Sequence, residues 1–348
     1  MEAKFWKKDK ASSPDPQIKA QLSQLAEQIR LKQESIEKQR DELQVLLNQA
    51  REEKLKTVVP KEVTTEKARK MGPMDDPFFS RLGMDPGAIE EVISAALGVA
   101  VTVKSQEPQF TIPGFGTRGV RLDSFSEIVP AVEAVVELSE GCDLGPKGAL
   151  VDVEVQKEDR NDTEYRVFYN GASIIVNKTP MGIKNYKEIP RAVVIWISEK
   201  DPFGEGEMFY QNVKADKKTK KVRKSPVDEI FINTENIKEN GDVKLDKIAK
   251  LMKLFRDPDA YDFEAFPKFS KRKQALKTTE EGVLEVSREH QRAIDMQVKE
   301  KVDEISRVYA FLVKNGRSDD IIRSENDIAY RYKMIDEYMQ ANQKSTME

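Results

Sequence analysis

Leu150–Gln156 reads LVDVEVQ, and its alternation sets the fold class. Val151, Val153 and Val155 fall on one face of an extended segment, and Asp152, Glu154 and Gln156 on the other. That is the pattern of a half-buried strand with two acids and an amide on its wet face. Upstream, Val120–Phe125 (VRLDSF) places Asp123 on a second apolar-rich strand. An Asp on one strand and Glu-x-Gln on the next can hold a divalent cation. On spacing alone a plain solvated face is favoured, because acids are common on such faces; the surrounding residues change that balance.

Residues 75–234 have the texture of an α/β domain. Asp85 and Pro86 open a helix that runs through Leu97, with Gly98 as its stop. Ile89, Val92, Ile93, Ala96 and Leu97 form its apolar stripe. Val99–Val103 reads as a strand, and Thr163–Val176 as a helix carrying Tyr165, Phe168, Tyr169 and Ile174. Ala192–Ile197 (AVVIWI) is a continuous apolar run, as expected of a strand buried on both faces. The order is helix, three strands, helix, strand. Two shorter strands, Met208–Val213 and Glu229–Ile232, flank Lys214–Lys224 (KADKKTKKVRK), which holds seven lysines and arginines. That run is either a hairpin tip touching phosphates or a solvated loop; without interleaved aromatics it does not suggest single-strand recognition.

Outside this domain the texture changes. Residues 1–16 are expected to be a disordered N-terminus, and 17–56 a coiled-coil helix. Leu22, Ile29, Ile36, Leu43 and Ala50 repeat at one seam position, and Ile18, Leu25, Lys32, Gln39 and Leu46 at the other. The pattern predicts a homodimer through residues 18–50; a single amphipathic helix lying on the body is the alternative. Residues 57–74 read as a linker, 243–341 as a helical C-terminal region, and 342–348 as a frayed tail. In the helical region Ile294, Val298, Val302, Ile305, Tyr309 and Leu312 mark one long helix ended by Asn315–Gly316. Ile321–Met339 marks another, with a break near Ser324–Asp327.

Composition narrows the chemistry. The 348 residues are 39% hydrophobic and 34% charged, with a formal net charge of −3. Bulk charge does not advertise nucleic-acid binding, so any such activity rests on a local basic patch and bound metal. Cys142 is the single cysteine and His290 the single histidine. An internal disulfide is excluded, a Cys/His zinc site nearly so, and a Ser-His-Asp triad has no support. His290, in a polar helical stretch, reads as a solvated surface residue. No apolar run has signal-peptide or membrane-spanning length, so the expectation is a soluble, cytoplasmic protein with no membrane partner.

Any metal should therefore be hard and oxygen-ligated: Mg2+, with Mn2+ as a substitute. Asp123 and Glu154 would supply carboxylates, and the backbone carbonyl of Val155 a further oxygen. Gln156, facing the same way as Glu154, cannot act as a base, but its amide can bond an attacking water or a phosphate oxygen. Asp152 is either an extra ligand or an exposed strand residue. Glu90 and Glu91 begin the first helix. Glu91 could reach the metal if that helix crosses the strand ends; otherwise both acids simply suit a helix N-terminus.

With these residues in view, the chain resembles the PD-(D/E)XK nuclease family transposases, relatives of the recombination-promoting nucleases. The likeness runs from Asp76 to about Thr234: DPFF at Asp76–Phe79, EEVISAALGV at Glu90–Val99, GVRLDSF at Gly119–Phe125 and DVEVQ at Asp152–Gln156. It continues with R-x-x-Y at Arg166–Tyr169, YKEIPRAVVIWI at Tyr186–Ile197, DPFG at Asp201–Gly204 and IFINT at Ile230–Thr234. The resemblance implies a restriction-endonuclease-like core and magnesium-dependent cleavage of double-stranded DNA. It puts metal ligation on Asp123 and Glu154 and makes Gln156 the third motif residue, a position where the wider superfamily usually has Lys. Arg166 and Tyr169 would brace the acids or touch DNA backbone, with core packing the expected role of Tyr169. One departure stands out. The family joins the Asp and Glu strands by a tight hairpin, whereas here a long insertion including Val129–Leu138 intervenes.

Overall fold

The computed structural model describes residues 61–113, 119–131, 148–157 and 161–345. The expected disordered N-terminus, the coiled coil of residues 17–56, Cys142 and most of the Val129–Leu138 insertion lie outside the described residues. The remainder is an α/β fold with a mixed six-stranded sheet. In chain order come α1 (Lys61–Lys70), α2 (Asp76–Leu82), α3 (Pro86–Leu97), β1 (Val101–Ile112), β2 (Val120–Pro130), β3 (Ala149–Gln156) and α4 (Thr163–Lys178). Then follow β4 (Ala192–Ser198), β5 (Phe209–Asn212), β6 (Val227–Asn233), α5 (Val243–Arg256), α6 (Pro267–Thr278), α7 (Glu280–Lys314), α8 (Ser318–Asn326) and α9 (Ile328–Ser345).

The strands lie in the order β1-β2-β3-β4-β6-β5. β1, β2 and β3 form an antiparallel meander, β3, β4 and β6 are parallel, and β5 closes the edge antiparallel to β6. The long connection after β2 does not separate the Asp and Glu strands. They pair directly, from Ile128↔Ala149 to Ser124↔Val153. The expected order of helix, three strands, helix and strand is present as α3, β1–β3, α4 and β4.

Helices cover both faces. Val151, Val153 and Val155 join Val193, Ile195, Ile197, Ile230 and Ile232 in one core with α1–α3, α5 and α6. On the other face α4 lays Val167 on Val194, Trp196 and Phe231. Gly171 permits this closeness: a Cβ there would stand 2.4 Å from Val227 Cγ1. α3 starts and stops as its sequence predicts. Asp85 accepts the Ala88 N–H at 2.9 Å, and Gly98 takes φ +74° at the C-terminus.

Several boundaries differ from the reading above. The linker of residues 57–74 contains α1, anchored by buried Ala68, with buried Met71 and Met74 following it. β1 and β2 are longer than expected. β1 tolerates Pro108 because it is an edge strand, which needs no outward donor there. α6 lacks an apolar stripe in the sequence, since two of its buried positions are Lys273 and Lys277. Lys273 is fully buried and donates to the carbonyls of Leu254, Asp257 and Ala260 at 2.7–2.8 Å. These groups end α5 and begin the following loop, so the ammonium satisfies carbonyls left open at the helix end. The last helix breaks at Asp327, as expected, but α9 runs on to Ser345, past the expected start of fraying at 342. His290 is half-buried, not solvated, and burial holds its pKa down.

Candidate functional site

Within a strand, a residue's N–H and C=O share one edge. Leu150 donates its N–H to the Arg191 carbonyl at 2.9 Å, and the Gln156 carbonyl accepts the Glu199 N–H at 3.1 Å. Even-numbered residues of β3 therefore bond towards β4, and odd-numbered ones towards β2. The β2–β3 ladder stops at Ser124↔Val153. Just beyond it the carboxyl groups take over from the backbone. The Asp123 N–H donates to Glu154 Oε1 at 3.1 Å, and the Val155 N–H donates to Asp123 Oδ2 at 3.3 Å. The Val155 carbonyl lies on that same edge. Asp123, Glu154 and Val155 thus converge where two strands part.

The acidic face of β3 is not wet. Asp152 is 0% exposed and Glu154 5%, because α4 covers them. The helix meets them with a polar group: Asn170 Nδ2 donates to Asp152 Oδ2 at 3.1 Å and to Glu154 Oε1 at 3.3 Å. Among the described residues Asp152 Oδ1 has no partner. Burial pushes the carboxyl pKa of Asp152 well above its ordinary value, and the charge of Asp123 adds to this. Glu154 is raised by burial and by Asp152, against the pull of Arg166. Asp123 is raised by burial, by Glu154 and by Asp76, with Arg121 opposing. Asp76 brings the first DPFF residue, at the start of α2, to the rim of the cluster. Lys157, directly after β3, bonds Asp75 at 3.0 Å and ties the strand end to the same corner.

Gln156 sits on the same face as Glu154. Its Oε1 accepts from Arg166 Nη1 at 3.1 Å, and the guanidinium lies 4.8 Å from the centroid of the Trp196 ring. Arg166 therefore braces the third motif residue. Tyr169 does not pack in the core: α4 buries Val167, Asn170, Gly171 and Ile174, leaving Tyr169 on the outward side. A narrow cleft opens beside Gln156, lined by Thr163, Trp196, Ser198 and Lys200.

Glu91 is placed elsewhere. Its two oxygens accept the N–H groups of Lys268 and Phe269 at 3.1 and 2.9 Å, capping the start of α6. Glu90 accepts the Val103 N–H and pairs with Lys268. Glu91 thus serves a helix start, but that of α6 and not its own helix α3, while Glu90 ties α3 to β1 and to the Lys268 side chain. Asn170 was not singled out in the sequence. The signal for it was there: it is a polar residue in line with Val167, Gly171 and Ile174 on the inward face of a helix.

Among the described residues no three acidic, histidine or cysteine side chains form a metal-holding group. The donor set at the ladder end is nevertheless all oxygen: two carboxyls and one carbonyl. That is the chemistry of a magnesium site, which typically takes one or two protein carboxylates and completes its shell with water and phosphate. The orphaned Asp152 Oδ1 and the raised pKa values mark a cluster short of positive charge. No protein-family model matches the chain, and neither does any curated protein or solved structure.

Proposed function

We propose that this chain is a cytoplasmic, magnesium-dependent deoxyribonuclease with a restriction-endonuclease-like core, of the PD-(D/E)XK transposase kind. One observation carries the reading: where the β2–β3 ladder ends, the Glu154 carboxyl accepts the Asp123 N–H and the Asp123 carboxyl accepts the Val155 N–H, so the two acids meet across neighbouring strands. Asp123, Glu154 and the Val155 carbonyl would hold Mg2+, with Mn2+ as a substitute. When bound, the ion would polarise the scissile phosphodiester and lower the pKa of a water. Asn170 orients Glu154 from the helix side. Arg166 fixes the Gln156 amide, whose remaining hydrogen-bonding capacity suits a water or a phosphate oxygen. Hydrolysis would proceed by attack of water on the phosphodiester, with no covalent enzyme intermediate. The heptad pattern of residues 18–50 supports a homodimer that would bring two such sites to one double-stranded DNA.

A second reading draws on the same bonds. Both carboxyls already pin backbone N–H groups, and a protein that keeps the fold as a DNA-binding scaffold could use them for that alone. Nicking of a supercoiled plasmid with Mg2+ separates the two. Wild type is expected to cut, and Asp123→Ala and Glu154→Ala are expected not to. Cutting that survives both substitutions dismisses the site. Gel retardation without cutting by any of the three proteins favours the scaffold.

A further inference from the structure

Neighbouring antiparallel strands need only two to five residues to turn. β5 ends at Asn212 and β6 starts at Val227, so the stretch 213–226 is far longer than the turn requires. The excess is itself folded. Ala215 bridges Val222, the Arg223 N–H donates to the Lys214 carbonyl at 2.7 Å, and the Asp216 N–H donates to Lys221 at 2.9 Å. Asp216 Oδ1 closes the tip by accepting the N–H groups of Lys218 and Thr219 and the Thr219 hydroxyl, at 2.7–3.1 Å. This register sets Lys214 directly opposite Arg223, a like-charge pair that costs stability. The only acid in Lys214–Lys224 is Asp216, and it is occupied in holding the turn. Lys214, Lys217, Lys218, Lys220, Lys221 and Arg223 are exposed, and no ion pair neutralises them among the described residues.

We infer that this hairpin is an arm that grips the phosphate backbone of duplex DNA. The inference rests on the nuclease reading above and adds a second contact to it. A pre-folded ribbon holds its charges in a fixed array, so phosphate binding need not order a loop first. The tip, Asp216–Lys221, holds no aromatic side chain to stack a base and no apolar one to enter a bilayer. Its placement also fits one long ligand. Leu150, Ala192 and Val227 share one level of the sheet, and Gln156, Ser198 and Asn233 share another. Six residues of rise separate the root of the arm from the Gln156 level, about 20 Å. The lysines lie beyond this root, so a duplex that meets both the arm and the Gln156 level must run farther than this along the sheet, as a duplex longer than one helical turn, about 34 Å, does.

The test uses the full chain and a short fluorescein-labelled duplex in EDTA, with anisotropy read between about 50 and 200 mM salt. The variant carries Lys217→Gln, Lys218→Gln, Lys220→Gln and Lys221→Gln; a second carries Arg at the same positions. If each lysine meets a phosphate, the slope of log affinity against log salt falls by about 0.9 per contact, or about 3.6 in the Gln variant. Affinity at the upper salt concentration is expected to drop at least about tenfold, and the Arg variant to bind as wild type does. A Gln variant with wild-type affinity and slope overturns the arm and leaves the nuclease reading standing. Absence of duplex binding by wild type in EDTA overturns the arm, whereas the nuclease reading is decided separately by plasmid nicking with Mg2+. Hairpin-dependent capture by phosphatidylserine vesicles, with no duplex binding, overturns the DNA assignment in favour of a membrane surface.

Discussion

Replacing Asn170 by alanine removes both bonds that α4 makes to the buried acids, at 3.1 Å to Asp152 and 3.3 Å to Glu154. Hydrogen bonds to charged groups contribute about 1.5–3 kcal/mol each, which bounds the loss at about 3–6 kcal/mol. The upper end overstates it, because burial raises the pKa of both carboxyls and a bond to the neutral form is weaker than one to the charged form. The expected cost is therefore about 2–4 kcal/mol, read as a lower urea midpoint for the metal-free protein at neutral pH with an unchanged slope. Asn170→Asp should cost more, because it adds a negative charge facing two others, and the excess should vanish in acid. A cost below about 0.5 kcal/mol for Asn170→Ala, the size of an ordinary surface substitution, would refute the claim that this amide holds the cluster.

Four further outcomes follow. In the metal-free protein the acid cluster carries raised pKa values, so its contribution to stability is complete below the ordinary carboxyl values of 3.8 and 4.5 and is lost as pH rises through the folded-state values. Asp152→Asn, which removes a buried carboxyl charge facing Asp123 and Glu154, should stabilise the protein by about 1–3 kcal/mol at pH 8 or so, with a smaller gain near pH 4 in parallel urea titrations. Gly171→Ala should destabilise by about 1–3 kcal/mol, less the helix preference of alanine, because α4 must lift off Val227; thermal unfolding reads this directly. Lys273→Met should cost about 3–5 kcal/mol by leaving buried carbonyls unpaired. Burial holds the Lys273 pKa at about 7; its contribution to stability is complete above 10.5 and is lost as pH falls through about 7. Glu91→Gln should weaken the start of α6 by about 1 kcal/mol in denaturant titration while leaving plasmid nicking unchanged at permissive temperature.

What the sequence made legible tracks how cleanly a residue's environment follows from local pattern. Asp85-Pro86 and Gly98 bracket α3 because caps act within one turn. AVVIWI forms β4 because only a strand covered on both faces uses such a run. LVDVEVQ named the right strand but the wrong environment. Alternation reveals that acids share a face, whereas the helix that covers that face is set by packing from residues farther along the chain. α6 was hidden for a related reason. Its buried face includes Lys273 and Lys277, and a lysine whose ammonium caps another helix looks like a surface lysine until that helix is in place. Glu91 shows the same limit in reverse: an acid at a helix start serves whichever N-terminus is near, and here that is α6. The pairing of β2 with β3 across their long connection depends on register alone, and no local signal spans it.

The central claim is that Asp123 and Glu154 act together on one hard cation at the end of the β2–β3 ladder. Titration of the full-length protein with Mn2+, followed by electron paramagnetic resonance, addresses it directly. Wild type and Glu127→Gln, which alters an exposed acid of the same strand, are expected to bind Mn2+ alike, and Asp123→Asn and Glu154→Gln each to weaken binding about tenfold or more. Equal binding by all four proteins, or none by wild type, would contradict it.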